Sequence, residues 1–116
     1  METLSGENQQ EGNNGRSMFS VEQGDILQVE KVKEPVLVVS KNFFNQSEQV
    51  IACPIISDLA PSVLHIPIQT EEVQGMVLCE QMKLLDLRYR GYKKISCIKY
   101  ADIINITDAI QAIFDY

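Results

Sequence analysis

Residues that could do acid–base or nucleophilic chemistry are few in this sequence. His65 is the single histidine. It lies in the alternating segment Val63–Pro67, where a strand would point His65 away from Leu64 and Ile66. A general base needs a partner that orients it, and none is evident nearby. We therefore interpret His65 as a solvent-facing strand residue.

The three cysteines, Cys53, Cys79 and Cys97, cannot all pair within one chain and show no CxxC spacing. Each lies in an apolar run, where a reduced cysteine behaves as a small hydrophobic residue. We predict buried structural cysteines, because reactive thiols need electropositive, partly exposed surroundings. The sequence has no phosphate-binding glycine loop, no GxSxG or HExxH motif and no carboxylate array with metal spacing, so we predict no metal and no cofactor.

Positive charge is concentrated in one segment of an acidic chain. The net charge of −6 argues against a protein that binds nucleic acid through bulk electrostatics. Residues 83–99 nevertheless carry several cations and one acid, Asp86. The cations are Lys83, Arg88, Arg90, Lys93, Lys94 and Lys99. The segment is either a solvated face of turns and strand edges or a patch that binds phosphates or an acidic partner.

A chain of 116 residues allows one domain. Residues 1–22 are rich in Gly, Asn, Gln and Glu and are predicted to form a flexible tail, which leaves 23–116 as the domain. Short Val- and Ile-rich runs separated by turn signals begin at Gly24 and predict the strands of a small sandwich or barrel. These runs are GDILQV, PVLVVS, QVIACPII, SVLHIPI, GMVLCEQ and KKISCIKY.

The last segment changes to a helical period. Apolar residues recur at spacings of three and four and polar residues lie opposite, which predicts an amphipathic helix of about four turns on the barrel. The apolar set is Ile103, Ile106, Ile110, Ile113 and Phe114; the polar set is Asn105, Asp108, Gln111 and Asp115. Asp102 near its start favours the helix dipole. Without an apolar run of roughly 20 residues or a secretory pattern, we expect a soluble, cytoplasmic protein with no membrane contact.

Five segments in order resemble the signature blocks of the MazF/PemK toxins. They are Gly24–Ile26, residues 35–40 followed by Asn42, residues 50–57, residues 64–67 and residues 77–86. The most specific is Glu-Gln-x-Lys-x-x-Asp at 80–86, where the family usually has arginine at the Lys83 position. The resemblance covers residues 23–116. It implies a mainly β fold, an SH3-like barrel of the CcdB/MazF/PemK type with a C-terminal helix, assembled as a homodimer that binds a cognate antitoxin.

The resemblance also implies a chemistry. Members of the family cut single-stranded RNA by attack of its own 2′-hydroxyl, which leaves a 2′,3′-cyclic phosphate and needs no metal. In the family an arginine of a Gly-x-Arg-Pro motif supplies a cation, and a hydroxyl at the end of the third strand helps to hold the phosphate. Ser57 stands at the hydroxyl position, and Glu34 stands at the arginine position.

Glu34 leaves two alternatives for catalysis. A carboxylate there would repel a phosphate by a few kcal/mol, equivalent to roughly 10²-fold in rate. The connection between the first two strands is also shorter than the family's usual loop. Either Lys33 or Lys31 replaces the cation, or Glu34 acts as the base with positive charge from Lys83 or Arg88.

We therefore expect a toxin of a toxin-antitoxin system with altered ribonuclease chemistry, in which Ser57, Glu34 and Lys33 are the catalytic candidates. The candidates for contact with RNA or a partner are Lys31, Gln81, Lys83, Arg88, Arg90, Lys93 and Lys94. The alternative is a non-catalytic relative that binds an antitoxin or another protein target. An unrelated SH3-like binding module would require an aromatic groove, which the scattered tyrosines and phenylalanines do not indicate.

Overall fold

The computed structural model describes residues 20–114. The predicted N-terminal tail lies almost entirely outside these residues. Val21, which the predicted boundary assigned to the tail, is buried in the core. The folded part therefore includes residues just before the predicted start at 23.

The fold is an antiparallel sheet that curls into a half-barrel and carries a C-terminal helix, as predicted. The strands are β1 (Asp25–Val29), β2 (Val36–Val38), β3 (Gln49–Ile56), β4 (His65–Gln69), β5 (Gln74–Leu78), β6 (Lys83–Asp86) and β7 (Tyr92–Cys97). The helices are α1 (Asn42–Asn45) and α2 (Tyr100–Ala112), and a 3₁₀ turn spans Cys79–Gln81. The strand order is β4-β5-β3-β2-β1-β7, and β6 pairs with β3. No helix in the described part is both long and apolar enough to cross a membrane.

β3 connects the two parts of the sheet. On one side it pairs with β2, so that Val36 lies opposite Pro54 and Val38 opposite Ala52. On its other side the first half of β3 pairs with β6 and the last two residues pair with β5. A residue at the end of β3 is therefore close to the loops that flank β2, β5 and β6.

The central strands β2 and β3 are buried on both faces, which explains why they read as continuous apolar runs. One core cluster contains Val36, Val38, Val50 and Leu85, from β2, β3 and β6. A second cluster lies on the opposite face and contains residues such as Leu37, Cys53 and Val77, together with Ile106 of α2. Alternate residues of β2 and β3 enter alternate clusters, as the period of a strand requires.

Helix α2 covers the second cluster through Ile106, and Asp102 lies in its first turn, as predicted. The helix ends at Ala112, so Ile113 and Phe114 do not extend its buried stripe and are exposed. Two short elements were not predicted. They are α1, in a segment read as a turn, and β6, of whose four residues Leu85 alone is buried.

Candidate functional site

Glu34 lies in the loop between β1 and β2, directly before the strand that begins at Val36. It is half-buried and lines a small cleft of about 20 Å³ with Val32, Pro54 and Lys83. Lys83 reaches this position because β6 pairs with β3, which places Lys83 opposite Ala52. The structure therefore brings a carboxylate and an ammonium group, distant in sequence, to one cleft.

Lys31 and Lys33 belong to the same loop but neither is among the residues that line this cleft. Both are exposed, and Lys31 has a positive φ of 66°. The loop is held close to β1, because the Val32 N–H donates to Val29 O at 3.0 Å and Gln28 Nε2 donates to Val32 O at 3.0 Å. Of the cations proposed to accompany Glu34, Lys83 is the one that the cleft contains.

Ser57 follows β3 and lines a different cleft of about 450 Å³. The Ile55 N–H donates to Pro35 O at 2.9 Å, so β2 and β3 remain adjacent almost to Ser57. Side chains alternate along a strand, however, and odd-numbered residues of β3 face the second cluster while even-numbered ones face the first. Ser57 and Glu34 consequently lie near one end of the sheet but line separate clefts.

The Ser57 cleft is anionic. Asp58 and Asp102 line it with Gln69 and Gln74, and no cationic side chain of residues 20–114 is among its lining groups. Asp102 was predicted only to favour the helix dipole, and Asp58 only to be part of a turn after the third apolar run. The position of Asp58 next to Ser57 is the one signal that could have suggested this composition.

Gln81 is exposed in the 3₁₀ turn, next to Glu80. Glu80 pairs with His65, and this pair was not predicted. His65 Nε2 lies 3.1 Å from Glu80 Oε2, and both side chains are partly exposed. Hydrogen bonding to His65 is the main cause that lowers the pKa of the Glu80 carboxyl below its usual range. His65 is therefore a half-buried residue with a carboxylate partner rather than a freely solvated one.

Two of the predicted binding cations are held by carboxylates of the same chain. Arg88 Nε and Nη2 donate to the two Asp86 carboxylate oxygens at 3.0 and 2.7 Å, and this pairing lowers the pKa of Asp86 and raises that of Arg88. Lys94 Nζ lies 3.1 Å from Oδ1 of the buried Asp25, which raises the pKa of Lys94. Arg90 and Lys93, by contrast, are exposed in the loop after β6 and in β7.

The cysteine prediction holds for two of the three residues. Cys53 and Cys79 are buried, and burial raises the pKa of Cys53 to about 12 and that of Cys79 to about 11. The prediction is wrong for Cys97, which is exposed. Cys97 is the last residue of β7. Within residues 20–114 this strand pairs with β1 along one edge and with no strand along the other. Within residues 20–114 no group of His, Cys, Asp and Glu side chains could hold a metal ion.

Solved structures similar to this chain include toxins and toxin–antitoxin complexes. A MazE-MazF complex from Deinococcus radiodurans superposes with a TM-score of 0.74 at 18% identity, over 81% of this chain and 95% of that chain. An endoribonuclease in complex with its cognate antitoxin from a Mycobacterial species gives 0.70 at 16% identity, over 82% and 95%. The Mycobacterium tuberculosis toxin MazF-mt6 gives 0.62 at 18% identity, over 79% and 97%.

Identities of 16–18% show that these proteins share the fold of this chain. The family assignment depends on a match between the sequence and a family model. No curated protein matches the chain. The family model for PemK-like, MazF-like toxins of type II toxin-antitoxin systems matches residues 21–114, almost the whole described domain. The chain is therefore a member of the MazF/PemK toxin family of type II toxin-antitoxin systems.

Proposed function

We propose that this toxin cleaves single-stranded RNA without a metal ion, with Glu34 as the proton acceptor and Lys83 as the cation. The observation that carries the proposal is the cleft shared by Glu34 and Lys83. It lies at the start of β2, where the family resemblance locates the catalytic cation. The name of one structural relative, an endoribonuclease, supports RNA as the substrate.

The two side chains match the demands of the reaction. Attack of a 2′-hydroxyl requires a base to accept its proton, and the carboxylate of Glu34 can do so. Charge then develops on the phosphate oxygens, and a nearby ammonium such as Lys83 stabilises it. As the 2′-oxygen bonds to phosphorus, the P–O5′ bond breaks, and the leaving 5′-oxygen takes a proton from solvent water. A volume of about 20 Å³ holds about one water. The scissile phosphate would therefore bind at the mouth of the cleft.

The proposal is tested by cleavage of a single-stranded RNA in the presence of EDTA. Glu34→Gln and Lys83→Met should each reduce the rate by roughly 10²-fold, the effect expected from loss of a base or of a charge-stabilising group. Lys41→Met removes an exposed lysine that precedes α1 and does not line the cleft, and it is the matched control. If both cleft variants cleave at the wild-type rate, the assignment of the cleft is wrong.

Glu34→Arg and Ser57→Ala separate the two alternatives for Glu34. If Glu34 is the base, Glu34→Arg abolishes cleavage. If Glu34 merely replaces a lost cation, arginine restores a favourable contact and raises the rate by roughly 10²-fold. Because Ser57 lines a separate cleft, we expect Ser57→Ala to retain most activity. If Ser57→Ala lowers the cleavage rate as much as Glu34→Gln does, Ser57 is a catalytic residue.

We further propose that the toxin is a cytoplasmic homodimer that binds a cognate antitoxin. Two of the similar solved structures are toxin–antitoxin complexes. Exposed apolar side chains on and beside α2 support a contact surface, since isolated small domains rarely expose such groups together. Among them are Tyr100, Ile104 and Phe43. Light scattering after size exclusion should give a dimeric mass, and a monomeric mass at micromolar concentration would contradict this.

A non-catalytic toxin is the second candidate. The anionic lining of the Ser57 cleft favours it, because two carboxylates would repel the phosphate that the family's hydroxyl helps to hold. Such a protein would arrest growth on expression by binding a protein target. Growth arrest by a wild-type protein that leaves single-stranded RNA intact would support this candidate over the ribonuclease.

A further inference from the structure

The loop between β6 and β7 contains an exposed aromatic ring that is held in place by a charged side chain. Tyr89 is 80% exposed. The guanidinium carbon of Arg88 lies over its ring, 5.2 Å from the centroid. A guanidinium in this position covers one face of the ring and is attracted to it. The other face remains open to solvent.

Arg88 is itself fixed by Asp86. Its side chain donates two hydrogen bonds to the Asp86 carboxylate, and its backbone N–H donates a third to Oδ1 at 3.0 Å. A guanidinium with bidentate pairing loses little further freedom when a ligand binds. Asp86 therefore holds Arg88 in place, and Arg88 lies over the ring of Tyr89. Tyr89 is the outermost of the three side chains.

The loop is also joined to the loop that carries Glu34. The Glu30 N–H donates to Gly91 O at 2.8 Å, and the Gly91 N–H donates to Glu30 Oε1 at 3.1 Å. In the adjacent ladder Lys93 lies opposite Gln28, whose side chain donates to Val32 O in the β1–β2 loop. A bound chain that passes over Tyr89 can therefore continue toward the Glu34 cleft.

The region holds both acids and cations, and two of its cations are available to an anionic ligand. Asp86 is paired with Arg88, Glu30 accepts a hydrogen bond from the Gly91 N–H and keeps its charge, and Glu48 acts on Arg88. Arg90 and Lys93 are exposed, and no ion pair is formed by either within residues 20–114. An open aromatic face beside two free cations is the arrangement that single-stranded nucleic acids bind, with bases on the ring and phosphates at the cations.

We propose that Tyr89 is a base-stacking residue for single-stranded RNA and that Arg90 and Lys93 bind the flanking phosphates. Arg88 is then a positioning residue that supports the ring rather than a phosphate ligand. The inference rests on RNA being the substrate in the proposed function. It differs from that function in concerning binding, so it can be tested with an oligonucleotide that cannot be cleaved.

The experiment measures binding of a short fluorescein-labelled oligonucleotide with 2′-O-methyl riboses, which lack the attacking hydroxyl. Tyr89→Ala should weaken binding by about fivefold or more, the lower end of measured base–aromatic stacking. Tyr89→Phe should bind as the wild type does. Val63→Ala, at an apolar side chain before β4 that is 81% exposed, is the control matched in exposure and should have no effect.

Two further measurements separate stacking from charge. On an abasic oligonucleotide of the same length the effect of Tyr89→Ala should disappear, because phosphates remain and bases do not. Arg90→Ala and Lys93→Ala should each lower the slope of log K against log salt by about 0.7, the value for one phosphate contact on a single strand. An unchanged slope in both variants would remove the phosphate contacts from the proposal.

The results of these binding measurements can be distinguished from a failure to cleave RNA. Equal affinities of Tyr89→Ala and Val63→Ala, or a wild-type protein that binds no oligonucleotide, would overturn the stacking assignment. Loss of binding to a poly-glutamate peptide in Tyr89→Ala, with RNA binding unaffected, would overturn it in favour of an acidic protein partner. A protein that binds through Tyr89 but cleaves no RNA would leave this inference standing and refute the ribonuclease.

Discussion

Gly75 lies in β5 against the end of β3, where the two backbones approach too closely for a larger residue. A Cβ atom at Gly75 would lie 2.9 Å from the backbone oxygen of Ile56 and 3.0 Å from Ile55 Cγ2. A backbone oxygen in a sheet cannot rotate away as a long side chain can. Gly75→Ala must therefore move β5 away from β3.

The magnitude follows from two opposing effects. Adding a methyl group to a closely packed site costs about 1–3 kcal/mol. Replacing glycine by alanine also restricts the unfolded chain, which stabilises the protein by about 0.4–1 kcal/mol. We expect the free energy of unfolding to fall by about 1–2 kcal/mol, which corresponds to a decrease in Tm of about 4–16 °C for a domain of this size.

Gly91→Ala is the matched control for this substitution. The nearest atom to a Cβ at Gly91 is Glu30 Oε1 at 3.9 Å, an ordinary van der Waals distance. We expect this variant to be as stable as the wild type or slightly more stable. Thermal and urea unfolding followed by circular dichroism measure both variants. If Gly75→Ala proves as stable as Gly91→Ala, the close packing of β5 on β3 is refuted.

Three further predictions concern buried polar groups and thiols. Asn45→Ala should lower the free energy of unfolding in urea by about 1–3 kcal/mol, because its fully buried side chain bonds the Oγ and the carbonyl of Ser40; a loss below about 0.5 kcal/mol would contradict this. A maleimide should label native protein at Cys97 alone, since burial raises the pKa of the other two thiols; mass spectrometry showing several labels without denaturant would disprove their burial. Lys94→Met should lower the free energy of unfolding in urea by more than it lowers the free energy of oligonucleotide binding, because Lys94 pairs with the buried Asp25. A larger loss of binding free energy than of unfolding free energy would make Lys94 a ligand contact.

The strands β1, β2 and β3 were predictable because most of their residues are buried on both faces. Each of the six apolar runs contains a strand, and the helix was located by the spacing of its isoleucines. β6 was missed because it is only four residues long and begins at Lys83, two residues after the 3₁₀ turn ends at Gln81, so no turn signal separates it from the run before. It forms a strand because β3 presents an unpaired edge beside it, a tertiary cause that short-range patterns do not contain.

The candidate site was predictable in composition but not in arrangement. The motif comparison identified Glu34 and Lys83, yet only the pairing of β3 with both β2 and β6 brings them together. The same limit applies to the cations. Asp86 is near Arg88 in sequence, whereas Asp25 is remote from Lys94 and meets it because β1 pairs with β7. A count of local charges therefore overestimated the positive charge available for binding.

The position of β3 also determines which parts of the protein open first. Its centre is covered by strands on both sides, whereas β4 and β7 each pair along a single edge. Regions with fewer shared ladder bonds open at lower free energy and exchange their amide hydrogens sooner. We expect the amides of β4 and β7 to exchange well before those of the middle of β3. The Ser57 cleft, formed partly by β4 and β5, can then open transiently while the pairing of β2 with β3 beside the Glu34 cleft remains closed.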